Sequence, residues 1–388
     1  MKHIVAILLL VALFDSSCSS ILSKKTPHEK YAEKLDDNDL EKTVIGRQWL
    51  AASEAALTNA QAVQLPYKQL GYFHMDKPRA LGLKFTAKRG EQLQFTLSKK
   101  APTNFVIYAD VFKQSSAETS HMLFADTTSS TFTFDVDESG TYLLRLQPEL
   151  FRTGEYSLSV AVGPSIGFPV QGSKAKAGSF WGASRDGGKR SHEGIDIFAP
   201  KLTPVVAAAD GVITGVKEGG IGGKVVWLRV NDKNYTLYYA HLHKQLVEEG
   251  QTVKKGDVLG LVGNTGNAKN TPSHLHFGVY TFSGPIDPYP FVNPIVKLPE
   301  AVPPKNLNNY LRVTKTGKLG PDKQTVTANT LLVPLAVTAK GYIAELPDGK
   351  ITQTPFTTVQ PGASLIKNTN PVASVTETKK AKQRKGRG

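Results

Sequence analysis

Five of the nine histidines fall between Val170 and Gly278, in three short blocks. The blocks are His192-Glu193-Gly194-Ile195-Asp196, Tyr239-Ala240-His241-Leu242-His243 and Ser273-His274-Leu275-His276-Phe277-Gly278. Imidazole changes protonation near neutral pH, and neutral imidazole and carboxylate are both good ligands for borderline metal ions. Converging side chains of these types suit Zn²⁺, and three protein ligands leave its fourth position for a water. A structural zinc would more typically use cysteines, and the only cysteine is Cys18, near the N-terminus. The chemistry on offer is therefore metal binding with proton transfer beside it.

These side chains must be brought together by strands. In the third block Leu275, Phe277 and Val279 alternate with His274, His276 and Gly278, and a strand sends residues i and i+2 to one face. Both histidines then point together while the apolar set enters a core. Pro272 and Gly278 disfavour a helix here. In the first block Gly194 and the β-favouring Ile195, Ile197 and Phe198 argue for a loop running into a strand. His192 and Asp196 can converge if Gly194 lets the backbone turn tightly.

The rest of the chain reads as several units. Met1-Lys2-His3, the apolar run Ile4–Phe14 and the small residues after it read as an export signal over residues 1–18. Cys18, following Ser16-Ser17, resembles the lipidated cysteine of a bacterial lipoprotein, although Asp15 stands where an aliphatic residue is usual; lipidation would anchor the chain to a membrane. Residues 25–64 carry apolar positions at helical spacing and predict one or two short helices. From 67 to 163, runs such as Leu93–Leu97 and Tyr156–Val160 alternate with period two between Gly-containing turns, predicting an antiparallel β-sandwich. Residues 170–296 hold the histidine blocks on a Gly-rich antiparallel sheet. Residues 306–368 show short strands compatible with a small β-barrel, and the basic stretch 378–388 has no apolar partner. The fold class is mostly β.

The three histidine blocks resemble the signature of the LytM/lysostaphin-like zinc metallopeptidases, the M23 family. The likeness runs from about Ser179 to Pro294 and includes "FWGASRDGGKRSHEGIDIFAP", "AAADGVI" and "EEGQTVKKGDVLGLVGNTGNAKNTPSHLHFGVY". It implies that His192, Asp196 and His276 hold the zinc, and that His241 and His274 are metal-free histidines beside the catalytic water. It also implies an endopeptidase acting on peptide cross-links or stems of peptidoglycan. Such bonds need a narrow open groove, for which Asp186-Gly187-Gly188 and Gly263-Asn264-Thr265-Gly266 could form a rim. The alternative is a noncatalytic wall-binding or scaffold protein, which the full set of five residues disfavours. Two departures from the pattern are the extra His243, which reads as exposed where the chain turns away, and the turn Gly222-Gly223-Lys224. Glu193 reads as a solvated neighbour rather than a helical base, and Tyr239 fits either the cleft or the core.

The chain has 388 residues and a formal charge of +14. That charge favours anionic polymers or surfaces, and the basic tail could grip an anionic envelope. Nucleic-acid binding would explain the charge but not the histidines, and no nucleic-acid partner is expected. "GQTVKKGDVLGLVG" resembles the hairpin of a biotin or lipoyl carrier but lacks a lysine in an attachment motif. The expected location is outside the cytoplasm, in the cell envelope.

Overall fold

The computed structural model describes residues 25–100, 105–320 and 323–365. The expected signal at 1–18, with Cys18, and the basic tail at 378–388 lie outside the described residues. Within them the chain is mostly β, and its pairings are antiparallel apart from the short parallel match of Gln61–Ala62 with Leu83 and Lys84. Among the described residues no helix is long and apolar enough to cross a membrane.

Two helices begin the described chain, Pro27–Asp37 and Val44–Thr58. Thr26 and Glu29 close a capping box on the first, and the Thr43 side chain caps the second, satisfying amides that have no partner within a helix. Their apolar faces meet the sandwich: Trp49 is buried with Leu35, Tyr108 and Leu150. The Trp49 indole donates to the Pro148 carbonyl at 2.9 Å, and the His28 ring stacks on it at 4.7 Å.

The sandwich has one sheet in the order Gln61–Ala62, Leu81–Ala87, Gly140–Pro148, Ile107–Gln114, Thr119–Phe124. The other contains Tyr67–Phe73, Gly154–Pro164, Glu91–Lys99 and Thr131–Asp135. Alternation places Leu83, Phe85, Leu93, Phe95, Leu144 and Leu158 in the layer between them. The C-terminal strands Leu331–Val337, Gly341–Glu345 and Ile351–Pro355 continue this second sheet, with Leu70 opposite Val337 and Gly71 opposite Ala336. The expected module at 306–368 thus has its own small apolar cluster, around Leu311, Leu332 and Val359, and also hydrogen-bonds into the sandwich.

The histidine blocks sit on a separate sheet. Its order is Lys176–Ser179, Ile195–Phe198, His274–Thr281, Tyr235–Ala240, Gly223–Val230, Gly211–Gly219, Thr252–Val253, with Gly284–Ile286 added beside His274–Thr281. One face carries Ile195, Ile197, Leu228, Leu237, Leu275 and Phe277 into a packed core, all fully buried. The polar residues that alternate with them occupy the other face. This unit abuts the sandwich where Phe291 packs against Gly90 and the Phe291 carbonyl accepts from the Ile166 amide at 3.1 Å.

Candidate metal centre

Register brings the first and third histidine blocks together. Asp196 lies directly opposite His276 across the pairing of Ile195–Phe198 with His274–Thr281, on the face away from the core. His192 stands just before its strand, held by its own amide donating to the Ala183 carbonyl at 2.8 Å. His192 Nε2 is 3.1 Å from Asp196 Oδ1 and 3.0 Å from His276 Nδ1, and the last two atoms are 3.0 Å apart. These three side chains form a candidate metal-binding group.

The orientation of His192 is set from behind. Its Nδ1 is 3.0 Å from the Phe180 carbonyl, which can only accept, so Nδ1 carries the proton and the Nε2 lone pair points into the triangle. With edges of 3.0–3.1 Å, all three donors would reach a single ion at ordinary zinc–ligand distances of about 2.0–2.1 Å. The donors need to open by only about 0.3 Å to reach a tetrahedral edge. Two nitrogens and an oxygen crowded this closely suit a zinc ion by size and by ligand type. Burial alone would raise the Asp196 pKa; without a metal, the His192 and His276 rings, as hydrogen-bond donors and charges when protonated, hold it well below the carboxylate range. Its second oxygen accepts from Arg185 Nη2 at 2.7 Å, and the same nitrogen donates to Ser179 Oγ at 2.7 Å. Arg185 therefore occupies Oδ2 and leaves Oδ1 to the triangle.

His241 and His274 stand beside this triangle. Their Nδ1 atoms face the Thr265 carbonyl at 2.9 Å and the Pro272 carbonyl at 2.8 Å, so in both rings Nε2 is the unprotonated nitrogen. His274 Nε2 lies 3.9 Å from Asp196 Oδ1. The His241 ring centre is 5.1 Å from that of His274 and 5.9 Å from that of His276. Burial, followed by the charges of His274 and His276, pushes the His241 pKa down to about 4. At neutral pH this ring is an uncharged base.

The second block leaves its strand before His243, which is exposed where the chain turns away, as expected of the extra histidine. The strand ends at Ala240, and His241 adopts φ of 62°, a left-handed conformation uncommon outside glycine. That turn swings its ring toward the other histidines and breaks the alternation, so His243 is exposed on a different course. Glu193 is exposed as expected, and Tyr239 lies in the core, its hydroxyl accepting from the Ala208 amide at 3.0 Å. Gly194 works differently from the expectation. It needs no left-handed φ; instead, a Cβ there would lie 2.7 Å from His276 Cε1 and Nε2 and 2.6 Å from the Phe277 carbonyl oxygen. The bare Cα makes room for the His276 ring. At the divergent turn, Gly223 has φ of 66° and packs directly on Gly266 and on Thr265, whose carbonyl orients His241.

Arg185, Ser179 and the Phe180 carbonyl had no assigned role in the sequence reading. Their stretch was part of the resemblance, but an arginine between Gly-rich turns gives no periodic signal. Three cations closely precede His192, at Arg185, Lys189 and Arg190, and nothing local singles out the first.

Residues 190–288 match Peptidase family M23. The L-Ala–D-Glu endopeptidase of Bacillus subtilis is 38% identical over 124 residues, covering 29% of this chain and 38% of that protein. The peptidoglycan DD-endopeptidase ShyC of Vibrio cholerae is 38% identical over 88 residues, 23% of this chain and 20% of that one. An uncharacterized metalloprotease of Haemophilus influenzae is 40% identical over 111 residues, 28% and 22% of the two chains. The chain thus spans less than two fifths of these curated relatives. Among solved structures, the catalytic domain of lysostaphin from Staphylococcus simulans is 34% identical, covering 31% of this chain and 92% of that one, with a TM-score of 0.29.

Proposed function

From the premise that residues 190–288 belong to Peptidase family M23, we propose that this chain is a zinc-dependent endopeptidase that hydrolyses peptide bonds in peptidoglycan cross-links or stems. The observation that carries this reading is the meeting of three donor atoms within 3.1 Å of one another, with two further imidazoles turned toward them by backbone carbonyls. A peptidoglycan DD-endopeptidase and an L-Ala–D-Glu endopeptidase stand among the similar proteins, which supports the substrate class.

In this reading His192 Nε2, Asp196 Oδ1 and His276 Nδ1 are the metal ligands. A zinc ion held by them supplies a Lewis acid for the scissile carbonyl and acidifies a water. The chain's own groups do the rest. Arg185 fixes the Asp196 carboxylate so that one oxygen stays directed at the triangle. His241 and His274, each with Nδ1–H tied to a carbonyl, offer Nε2 as the proton acceptor. Once protonated, the same nitrogens can donate to the oxyanion or to the departing amine. A pKa near 4 in the resting protein keeps His241 ready to accept across the physiological range. The sheet beneath excludes water from below, because Leu275 and Phe277 fill the core directly under the site.

The same reading places the protein outside the cytoplasm, with export through residues 1–18 and anchoring through a lipid on Cys18. Mass analysis of the mature N-terminus, with a Cys18→Ser control, tests the anchor. The activity is tested by incubating the zinc-loaded protein with purified peptidoglycan. The expected result is released peptide fragments, abolished by a chelator and restored by zinc. Intact peptidoglycan after treatment with folded, zinc-loaded protein would overturn the reading.

A further inference from the structure

The face that carries Asp196 and His276 continues away from them as a floor of aromatic rings. His276 lies opposite Ala240, Gly278 opposite Tyr238, and Tyr280 opposite Thr236; Tyr238 and Thr236 in turn face Trp227 and Arg229. The rings make a connected path. Tyr238 sits 6.0 Å from His276, Trp227 is 4.3 Å from Tyr238, and Tyr280 is 5.1 Å from Trp227. Beyond them a cleft of about 830 Å³ opens, with Trp227, Tyr280 and Phe282 among its apolar walls. Phe282 is fully exposed at the hairpin tip. Four residues of strand separate His276 from Tyr280, so the cleft begins about 13 Å from the metal triangle.

Charge decides what such a cleft accepts. Lys217, Arg229 and Lys233 line it, and no carboxylate does. Lys233 is committed to Asp135 and Asp137, at 3.2 and 3.1 Å. Lys217 and Arg229 are exposed and take part in none of the ion pairs among the described residues. Gly215 lies against both neighbours, since a Cβ there would meet Trp227 Cδ1 at 3.4 Å and Lys217 Cε at 3.7 Å. Glu193 acts electrostatically on the Tyr280 hydroxyl, but it is not part of the lining.

We propose that this aromatic and basic cleft is a binding subsite for a carboxylate-bearing stretch of peptide, engaged through Lys217 and Arg229 about four residues from the bond that is cut. The inference rests on the peptidase reading and adds to it a preference for acidic stem peptides. The rings give flat apolar support to an extended chain, and the two cations answer its carboxylates. A glycan would find the rings but no carboxylate to accept from its hydroxyls.

The test uses the full chain with two soluble ligands, a cross-linked stem peptide with free side carboxylates and the same peptide with them amidated. Binding is measured on the His274→Ala protein, so that bound peptide stays intact, and KM and kcat on the wild type. The free-carboxylate peptide should bind about fivefold more tightly for each cation engaged, an advantage that fades as salt rises. Lys217→Gln and Arg229→Gln together should erase that preference, raising KM while leaving kcat and zinc content unchanged. Equal affinity for the two peptides would overturn the proposal, as would displacement of bound peptide by peptide-free glycan chains. If the wild type cuts neither peptide but the binding preference persists, the activity reading falls and the cleft stands. If it cuts both with one KM, the reverse holds.

Discussion

Adding a single methyl group at Gly194 presses directly on the metal triangle. The substitution Gly194→Ala requires no forbidden backbone angle, so its effect is a matter of space. The new Cβ would stand 2.7 Å from the His276 ring and 2.6 Å from the Phe277 carbonyl oxygen. Ordinary contact begins near 3.4 Å, so something must move by about 0.7 Å, the difference of 3.4 and 2.7. Moving the ring does not relieve the carbonyl contact, so the His276 ring must give way and the Gly194 backbone must also draw back from the strand. Metal sites tolerate errors of only about 0.2 Å in donor distance, and the displaced ring carries one of the three donors. Zinc affinity should therefore fall about 10- to 100-fold, the loss typical of disturbed ligand orientation. Competition with a chromophoric chelator measures this, and circular dichroism checks that the sheet persists. Peptide release should drop by about 10² at limiting zinc. Wild-type zinc affinity in folded Gly194→Ala protein would refute the steric argument and the assignment of His276 with it.

Other outcomes follow from the same geometry. His192→Ala and His276→Ala should each lose stoichiometric zinc, read as metal content after dialysis, whereas His241→Ala and His274→Ala should retain it. The latter two should lower kcat by about 10²–10⁴, the scale of a missing acid–base group; unchanged kcat would remove them from the proton-transfer role. Far from the metal, burial followed by the charge of Arg145 pushes the His28 pKa down to about 4. Above pH 6.5 that ring is neutral whether folded or unfolded, but between 6.5 and 4 only the unfolded chain takes up the proton. Stability should therefore fall by about 3 kcal/mol as the pH drops through this window. Urea midpoints across that range measure the loss, and His28→Gln should flatten the slope; an unaltered slope would show that His28 is not its source.

How much the sequence disclosed depended on how local each determinant was. The shared face of His274 and His276 follows from period-two alternation, and the pairing that sets Asp196 against His276 keeps that alternation intact. Strands such as Glu91–Lys99 and Gly154–Pro164 were legible for the same reason, since their inward residues repeat every second position. Features that depend on contacts between distant segments were not. No local pattern says that Leu331–Val337 pairs with Tyr67–Phe73, because that register is set by a second strand some 260 residues away. The left-handed turn at His241 gave no local signal, because a non-glycine residue seldom adopts that conformation. Gly194 was visible, but its purpose was not: the constraint comes from a ring on another strand rather than from its own backbone. Arg185 was silent because one arginine in a turn acquires meaning only when Asp196 lies 2.7 Å from it.

The most direct test is a crystal structure of the zinc-loaded protein with anomalous scattering measured at the zinc edge. One strong peak per chain is predicted, about 2.0–2.2 Å from His192 Nε2, Asp196 Oδ1 and His276 Nδ1, with neither His241 nor His274 bound. A peak elsewhere, or none near these three atoms in protein carrying one zinc per chain, would contradict the account.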